Sequence, residues 1–162
     1  MATVTVTRTR TGLGHPETAA LVKKAIAATL KAEGIEDECE VFVTLTDDET
    51  IHEINLENRG VDAATDVLSF PLNELKPGAF DAEACEYDYD SDAIALGDMV
   101  ISIPRCEAQG EEYGHGYRRE VSYLAVHSTL HLLGYDHVDE GADKALMRSR
   151  EDAVMEMLGI LR

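Results

Sequence analysis

A chain of 162 residues, 44% of them hydrophobic, can bury one sizeable core, so a single domain spanning 1–162 is expected. Thirty-two acidic residues against fourteen Lys and Arg give a formal net charge of −18. That balance excludes the broad basic footprint usual in nucleic-acid binders, although a local cationic pocket can operate inside an acidic shell.

Cys39, Cys85 and Cys106 contain no C-x-x-C pair, so neither a thiolate zinc site nor a disulfide framework is indicated. No stretch approaches the roughly 20 apolar residues that cross a bilayer. The opening MATVTVTRTR has no apolar run behind a basic start. A soluble, cytoplasmic protein without a membrane partner is expected.

Residues 3–10 alternate, Val4 and Val6 against Thr3, Thr5 and Thr7, which predicts a strand. His15-Pro16-Glu17 opens a helix, carried by Leu21, Val22, Ala25, Ile26, Thr29 and Leu30 at helical spacing and stopped by Gly34. Cys39 to Thr46 alternates again through Val41, Val43 and Leu45. Thr46 or Asp47 can cap a helix over 48–58, with Ile51 and Ile54 inward and Gly60 at its end.

Asp66 to Pro71 reads as a short buried strand closed by proline. Residues 72–93, rich in Asp, Glu, Ala and Tyr, show no period and are expected to form an acidic surface loop. Within it Tyr87-Asp88-Tyr89-Asp90 is a solvated stretch or a partner-binding edge. Ile94 to Ile103 returns as a strand interrupted at Gly97-Asp98. Three helices complete the chain: 105–112, the long apolar 118–133 ending at Gly134, and the amphipathic 141–158. This order predicts an α+β fold, one mixed and mostly four-stranded sheet covered by helices, with a histidine cluster at the end of the long helix.

That cluster lies in His127-Ser128-Thr129-Leu130-His131-Leu132-Leu133-Gly134-Tyr135-Asp136-His137. Histidines four apart stand on one helical face, one turn above the other, and can converge on one cation. Gly134 allows a left-handed helix end, after which the chain can double back and deliver His137. Three neutral imidazoles leave one tetrahedral position open, the arrangement of a catalytic rather than a structural zinc site. The bland reading is three unrelated histidines on a half-buried helix. Against it, the chain has six histidines, and three fall within eleven positions at ligand spacing. Metzincin proteases use the same H-x-x-x-H-x-x-G-x-x-H spacing but carry a Glu base after the first His. Ser128 stands there and cannot act as that base, which disfavours peptide hydrolysis and favours another zinc-dependent hydrolysis.

The eleven residues from His127 to His137 resemble the H-G-x-L-H-L-x-G-Y-D-H signature of the YbeY family of bacterial rRNA maturation factors. Asn55 to Gly60 is similar to that family's N-x-x-x-R-G, Asp66 to Pro71 to its D-V-L-S-F-P, and Leu96 to Ile101 to its L-G-D-I-x-I. The matches keep the family's order and, with the intervening elements, span nearly the whole chain. Ser128 in place of Gly and a long 72–93 loop are the departures.

The resemblance implies a metal-dependent endoribonuclease on single-stranded RNA, serving 3′-end maturation of small-subunit rRNA and ribosome quality control. It implies one Zn2+ per chain on His127, His131 and His137. The expected partners are ribosomal RNA and the small ribosomal subunit with its proteins, and no DNA. It also assigns Arg59 to the cleft, where a guanidinium fits phosphate; spacing alone leaves Arg59 equally an ordinary cation at a helix C-terminus.

Other residues carry two readings each. Asp136 is a histidine-orienting acceptor or a turn residue, and Asp98 an orienting group or a strand bulge. Arg118 and Arg119 steer RNA or simply solvate a helix start; Thr65 and Ser69 donate to phosphate or pair within a strand. His15, His52 and His115 have no partner at ligand spacing. Two other functions stay open: a metallo-hydrolase of another substrate, and a non-catalytic assembly factor with structural zinc whose acidic surface docks on basic ribosomal proteins.

Overall fold

The computed structural model describes residues 2–136 and 141–160. The chain runs through β1 (Ala2–Arg8), α1 (Thr18–Ala32), β2 (Cys39–Thr46), α2 (Asp48–Arg59), β3 (Val67–Pro71), β4 (Tyr87–Asp88), β5 (Ala93–Ser102), α3 (Ile103–Glu112), α4 (Gly116–Leu132) and α5 (Ala142–Leu158). The sheet order is β1-β2-β5-β3, with the two-residue β4 adding to β5 as a fifth strand. β1, β2 and β5 are parallel, whereas β3 and β4 run antiparallel to β5, so the sheet is mixed as expected.

One face of the sheet carries the main core. Cys39, Val41, Val43 and Leu45 of β2 share one buried cluster with Val22, Ile26 and Leu30 of α1 and with Val121, Leu124 and Leu130 of α4. Buried leucines of this kind contribute about 1.5–3 kcal/mol each, so α4 is fixed chiefly by apolar packing. On the opposite face α2 packs Ile51 against Leu68 and Val100. No described helix is long and apolar enough to cross a membrane.

Four local expectations need correction. Pro16 lies in the turn before α1, where the Thr18 hydroxyl accepts from the His15 backbone N–H at 2.9 Å; the helix starts one turn later than the sequence suggests. The segment after Asp66 is an edge strand with only Leu68 fully buried, because no strand among the described residues pairs beyond β3 on the sheet path.

β5 is continuous rather than interrupted at Gly97. Its pairing with β2 shifts between Glu40 and Val41, so Leu96 is the extra residue of a bulge. The bulge changes the side-chain parity, which is why Ile94 and Leu96, and then Met99 and Ile101, all face the same core. Gly97 makes this possible at φ +141°, since a Cβ there would lie 2.3 Å from the Phe70 carbonyl oxygen.

The 72–93 segment is not a bare loop. It contains a short 3-10 turn at Ala82–Ala84 and β4, and its start is pinned by Asn73, which donates to Ala95 O at 2.9 Å and accepts from Glu86 N at 2.8 Å. Tyr89 at its tip is 87% exposed, consistent with the solvated reading of the tyrosine-rich stretch.

Candidate active site

The long helix delivers two histidines to one wall of a cleft of about 660 Å3. Their Nε2 atoms stand 3.1 Å apart, with the rings close to perpendicular at 86°. The Nδ1 atoms are turned away, each to an acceptor. His127 Nδ1 meets the Glu151 carboxylate on α5, and His131 Nδ1 meets the Tyr135 backbone carbonyl at 2.9 Å. A carboxylate and a carbonyl accept, so each Nδ1 carries a proton and each ring turns its Nε2 into the cleft.

Two lone pairs so close repel unless a proton or a cation lies between them. Two ligands about 2.0–2.1 Å from a tetrahedral zinc ion would be roughly 3.3 Å apart. The donor pair therefore fits a zinc-sized cation in both chemistry and separation. Among the described residues no three His, Cys, Asp or Glu side chains form a ligand cluster. His137, the third expected ligand, lies outside the described residues.

The turn after α4 is set by Gly134. Its φ is +99°, and a Cβ would fall 2.2 Å from the Leu75 carbonyl oxygen. Glycine therefore supplies the left-handed helix end read from the sequence, and also lets the 72–76 backbone press against the helix terminus. Through this contact Asn73, Glu74 and Leu75 become a wall of the cleft. No local sequence signal marks that role, which depends on a distant glycine. Tyr135 is fixed from behind, its hydroxyl donating to Glu33 at 2.5 Å while Arg150 holds Glu33 at 2.8 Å. Burial, together with that carboxylate, pushes the Tyr135 phenol up to about 12, so it stays a donor.

Arg59 reaches the same cleft from the other side of the sheet's edge. Asp47 caps α2 by accepting from Thr50 N at 2.8 Å, and Gly60 closes the helix in the left-handed region with its N–H on Leu56 O. Asn55 is buried and donates to Ala63 O at 2.9 Å, which ties down the chain leaving the helix. Arg59 is thus both a cation at a helix C-terminus and a residue of the cleft. Among the described lining residues it is the one Arg or Lys, in a cleft that Asp66, Glu74 and Asp136 also line.

Thr65 and Ser69 also line the cleft. The Ser69 hydroxyl is engaged with that of Ser128 at 2.6 Å, which satisfies the polar group standing where the resemblance expects glycine. Asp66 is occupied structurally, accepting from Val67 N at 2.7 Å.

Other candidates are not brought together with the histidine pair. Asp98 sits exposed on β5 between Phe42 and Phe70, its carboxyl raised by partial burial. Arg118 pairs with Glu17, and Arg119 donates to Ile160 O at 2.8 Å; both line a separate groove at the start of α4. His15, His52 and His115 each face a carboxylate of their own, Glu107, Asp62 and Glu120. All three cysteines are free thiols, and burial raises the pKa of each.

A helix delivering paired imidazoles to a cleft that also holds an arginine makes this cleft the candidate hydrolase site. Residues 4–159 match the family model described as Endoribonuclease YbeY, and the chain belongs to that family. A relative from Desulfitobacterium hafniense, named Endoribonuclease YbeY, is 49% identical over 142 residues, covering 88% of this chain and 86% of that one. Another of that name, from Caldanaerobacter subterraneus, is 48% identical over 143 residues, covering 88% and 89%. The solution structure of a Thermotoga maritima protein shares the fold, with a TM-score of 0.57 over 96% of this chain and 91% of that one, at 22% identity.

Proposed function

We propose that this protein is a zinc-dependent endoribonuclease that cuts single-stranded ribosomal RNA, acting in 3′-end maturation of the small-subunit rRNA and in ribosome quality control in the cytoplasm. The observation that carries the reading is the 3.1 Å convergence of the His127 and His131 Nε2 atoms inside a cleft shared with Arg59. Family membership, with relatives named as endoribonucleases, supports RNA as the substrate. His127, His131 and His137 would hold one zinc ion per chain, the last assigned from the motif.

Zinc in such a site supplies Lewis acidity, lowering the pKa of water from 15.7 to about 7 and polarising a phosphoryl oxygen. The chain's own residues do the remainder. Glu151 and the Tyr135 carbonyl keep the Nδ1 protons in place, so both rings hold Nε2 towards the position a cation would take. Arg59 offers a planar fork to the non-bridging oxygens, whose charge grows as phosphorus is attacked. Ser128 takes no part as a base, because its hydroxyl is buried against Ser69.

The net charge of −18 supports a second role, docking on basic ribosomal proteins, which can coexist with cleavage. The deciding experiment is cleavage of a labelled single-stranded rRNA fragment by the wild type, His131→Ala and Arg59→Ala, with bound metal quantified in each. Cleavage by the wild type, loss of metal and activity in His131→Ala, and loss of activity alone in Arg59→Ala support the proposal. Metal-loaded protein that cuts no RNA overturns it and leaves an assembly factor with structural zinc.

A further inference from the structure

We infer that Glu151, anchored by Tyr123, is a positioning residue that holds and polarises the His127 imidazole for metal binding; this rests on the metal site proposed above. The buried stripe of α5 is Met147, Glu151, Val154 and Met155, so a carboxylate interrupts an otherwise apolar helix face. Glu151 is only 4% exposed. Burying a carboxylate is costly unless donors and charge compensate it, and an apolar residue would serve packing alone at less cost.

The compensation comes from α4. Tyr123 and His127 are four residues apart and so lie on one helical face. The Tyr123 hydroxyl donates to Glu151 Oε1 at 3.0 Å, and His127 Nδ1–H donates to Oε2. Both carboxylate oxygens are therefore engaged by a single helical turn of α4. Burial and the neighbouring Glu151 raise the Tyr123 phenol pKa, which keeps it a donor.

Held in this way, the His127 ring directs its Nε2 at the Nε2 of His131. Negative charge at Nδ1–H also makes Nε2 a stronger donor to a cation. A bound cation beyond the ring would in return offset the buried carboxylate. The competing account is a simple ion pair, in which Glu151 keeps His127 protonated and thereby opposes metal binding. The two accounts give opposite signs when Glu151 is removed.

The test is zinc affinity of the metal-free full chain, measured by competition with a chromophoric chelator. Cobalt titration provides the visible spectrum of the site, and thermal unfolding of the metal-free protein reports the fold. Glu151→Gln keeps an acceptor oxygen and the side-chain volume but loses the charge; it is expected to weaken zinc binding about tenfold, and Glu151→Ala about a hundredfold. Tyr123→Phe should weaken it by less than either, with an altered cobalt spectrum. Should Glu151→Ala fail to fold, Glu151→Gln decides alone. Unchanged or tighter zinc binding in a folded Glu151→Gln overturns the inference in favour of the ion pair, while His131→Ala still losing zinc leaves the site itself standing. Wild type and His131→Ala binding zinc equally weakly would instead sink the metal site on which the inference rests.

Discussion

The two ends of α4 hold similar side chains and do opposite things with them. At the start of the helix, His115 gives its Nε2–H to the buried Glu120 at 2.8 Å, Arg118 is paired with Glu17, and Arg119 is spent on the Ile160 carbonyl. At its end, His127 and His131 turn their Nδ1 atoms to acceptors and aim their Nε2 atoms at one point. Histidine and arginine near a groove therefore do not make a site. What distinguishes the second end is which nitrogen the surrounding acceptors occupy.

Exchanging one residue at each end should give the sharpest contrast. His131→Ala is expected to abolish stoichiometric zinc and, with it, RNA cleavage. His115→Ala should retain both and lose about 1–3 kcal/mol of stability, because Glu120 stays buried without its strongest donor. Metal analysis and urea unfolding of the two variants check this, and zinc loss in His115→Ala would erase the distinction.

The arginines extend the comparison at smaller scale. Arg59→Ala should lower kcat about a hundred- to a thousandfold with metal retained, the usual cost of losing one transition-state donor. Arg119→Ala should leave kcat essentially unchanged, since its guanidinium is held by the Ile160 carbonyl in a groove outside the cleft. A comparable fall in both would mean that RNA is engaged along the whole helix.

Ser69→Ala leaves the Ser128 hydroxyl buried without that partner and should cost about 1–3 kcal/mol. Replacing Ser128 by glycine in the same protein should recover part of this loss, which thermal unfolding of the single and double variants measures.

The smallest effect concerns the cap that carries Arg59. The Thr50 backbone N–H, followed by Arg10, holds the Asp47 carboxyl below the usual carboxylate range. A lowered folded pKa means stability that is complete above the unfolded value, near pH 4, and lost as the pH falls through the folded value. Asp47→Ala should therefore cost about 1 kcal/mol at pH 7. The gap from the wild type should shrink on acidification below pH 4; a gap that persists there would assign the effect to packing.

The sequence by itself determined the helices and the longer strands, the histidine pair and the family. Amphipathic periods of two and 3.6 are local, and so is the one-turn spacing that stacks His127 on His131. Ser128 in the base position was equally readable, as was Asp47 before a helix. The bulge in β5 was half visible at Gly97-Asp98, but its effect on parity appears only when Val41 is laid beside Gly97 in the sheet.

Tertiary structure alone decided what surrounds the histidines. Glu151 comes from a helix 24 residues further on, and Glu33, which fixes Tyr135, from the turn just after α1, 102 residues earlier. The 72–76 wall depends on Gly134, some sixty residues away, admitting the Leu75 backbone. Periodicity reports which face of a helix is buried, whereas imidazole orientation depends on which acceptors packing brings to each ring nitrogen, and those arrive from distant parts of the chain.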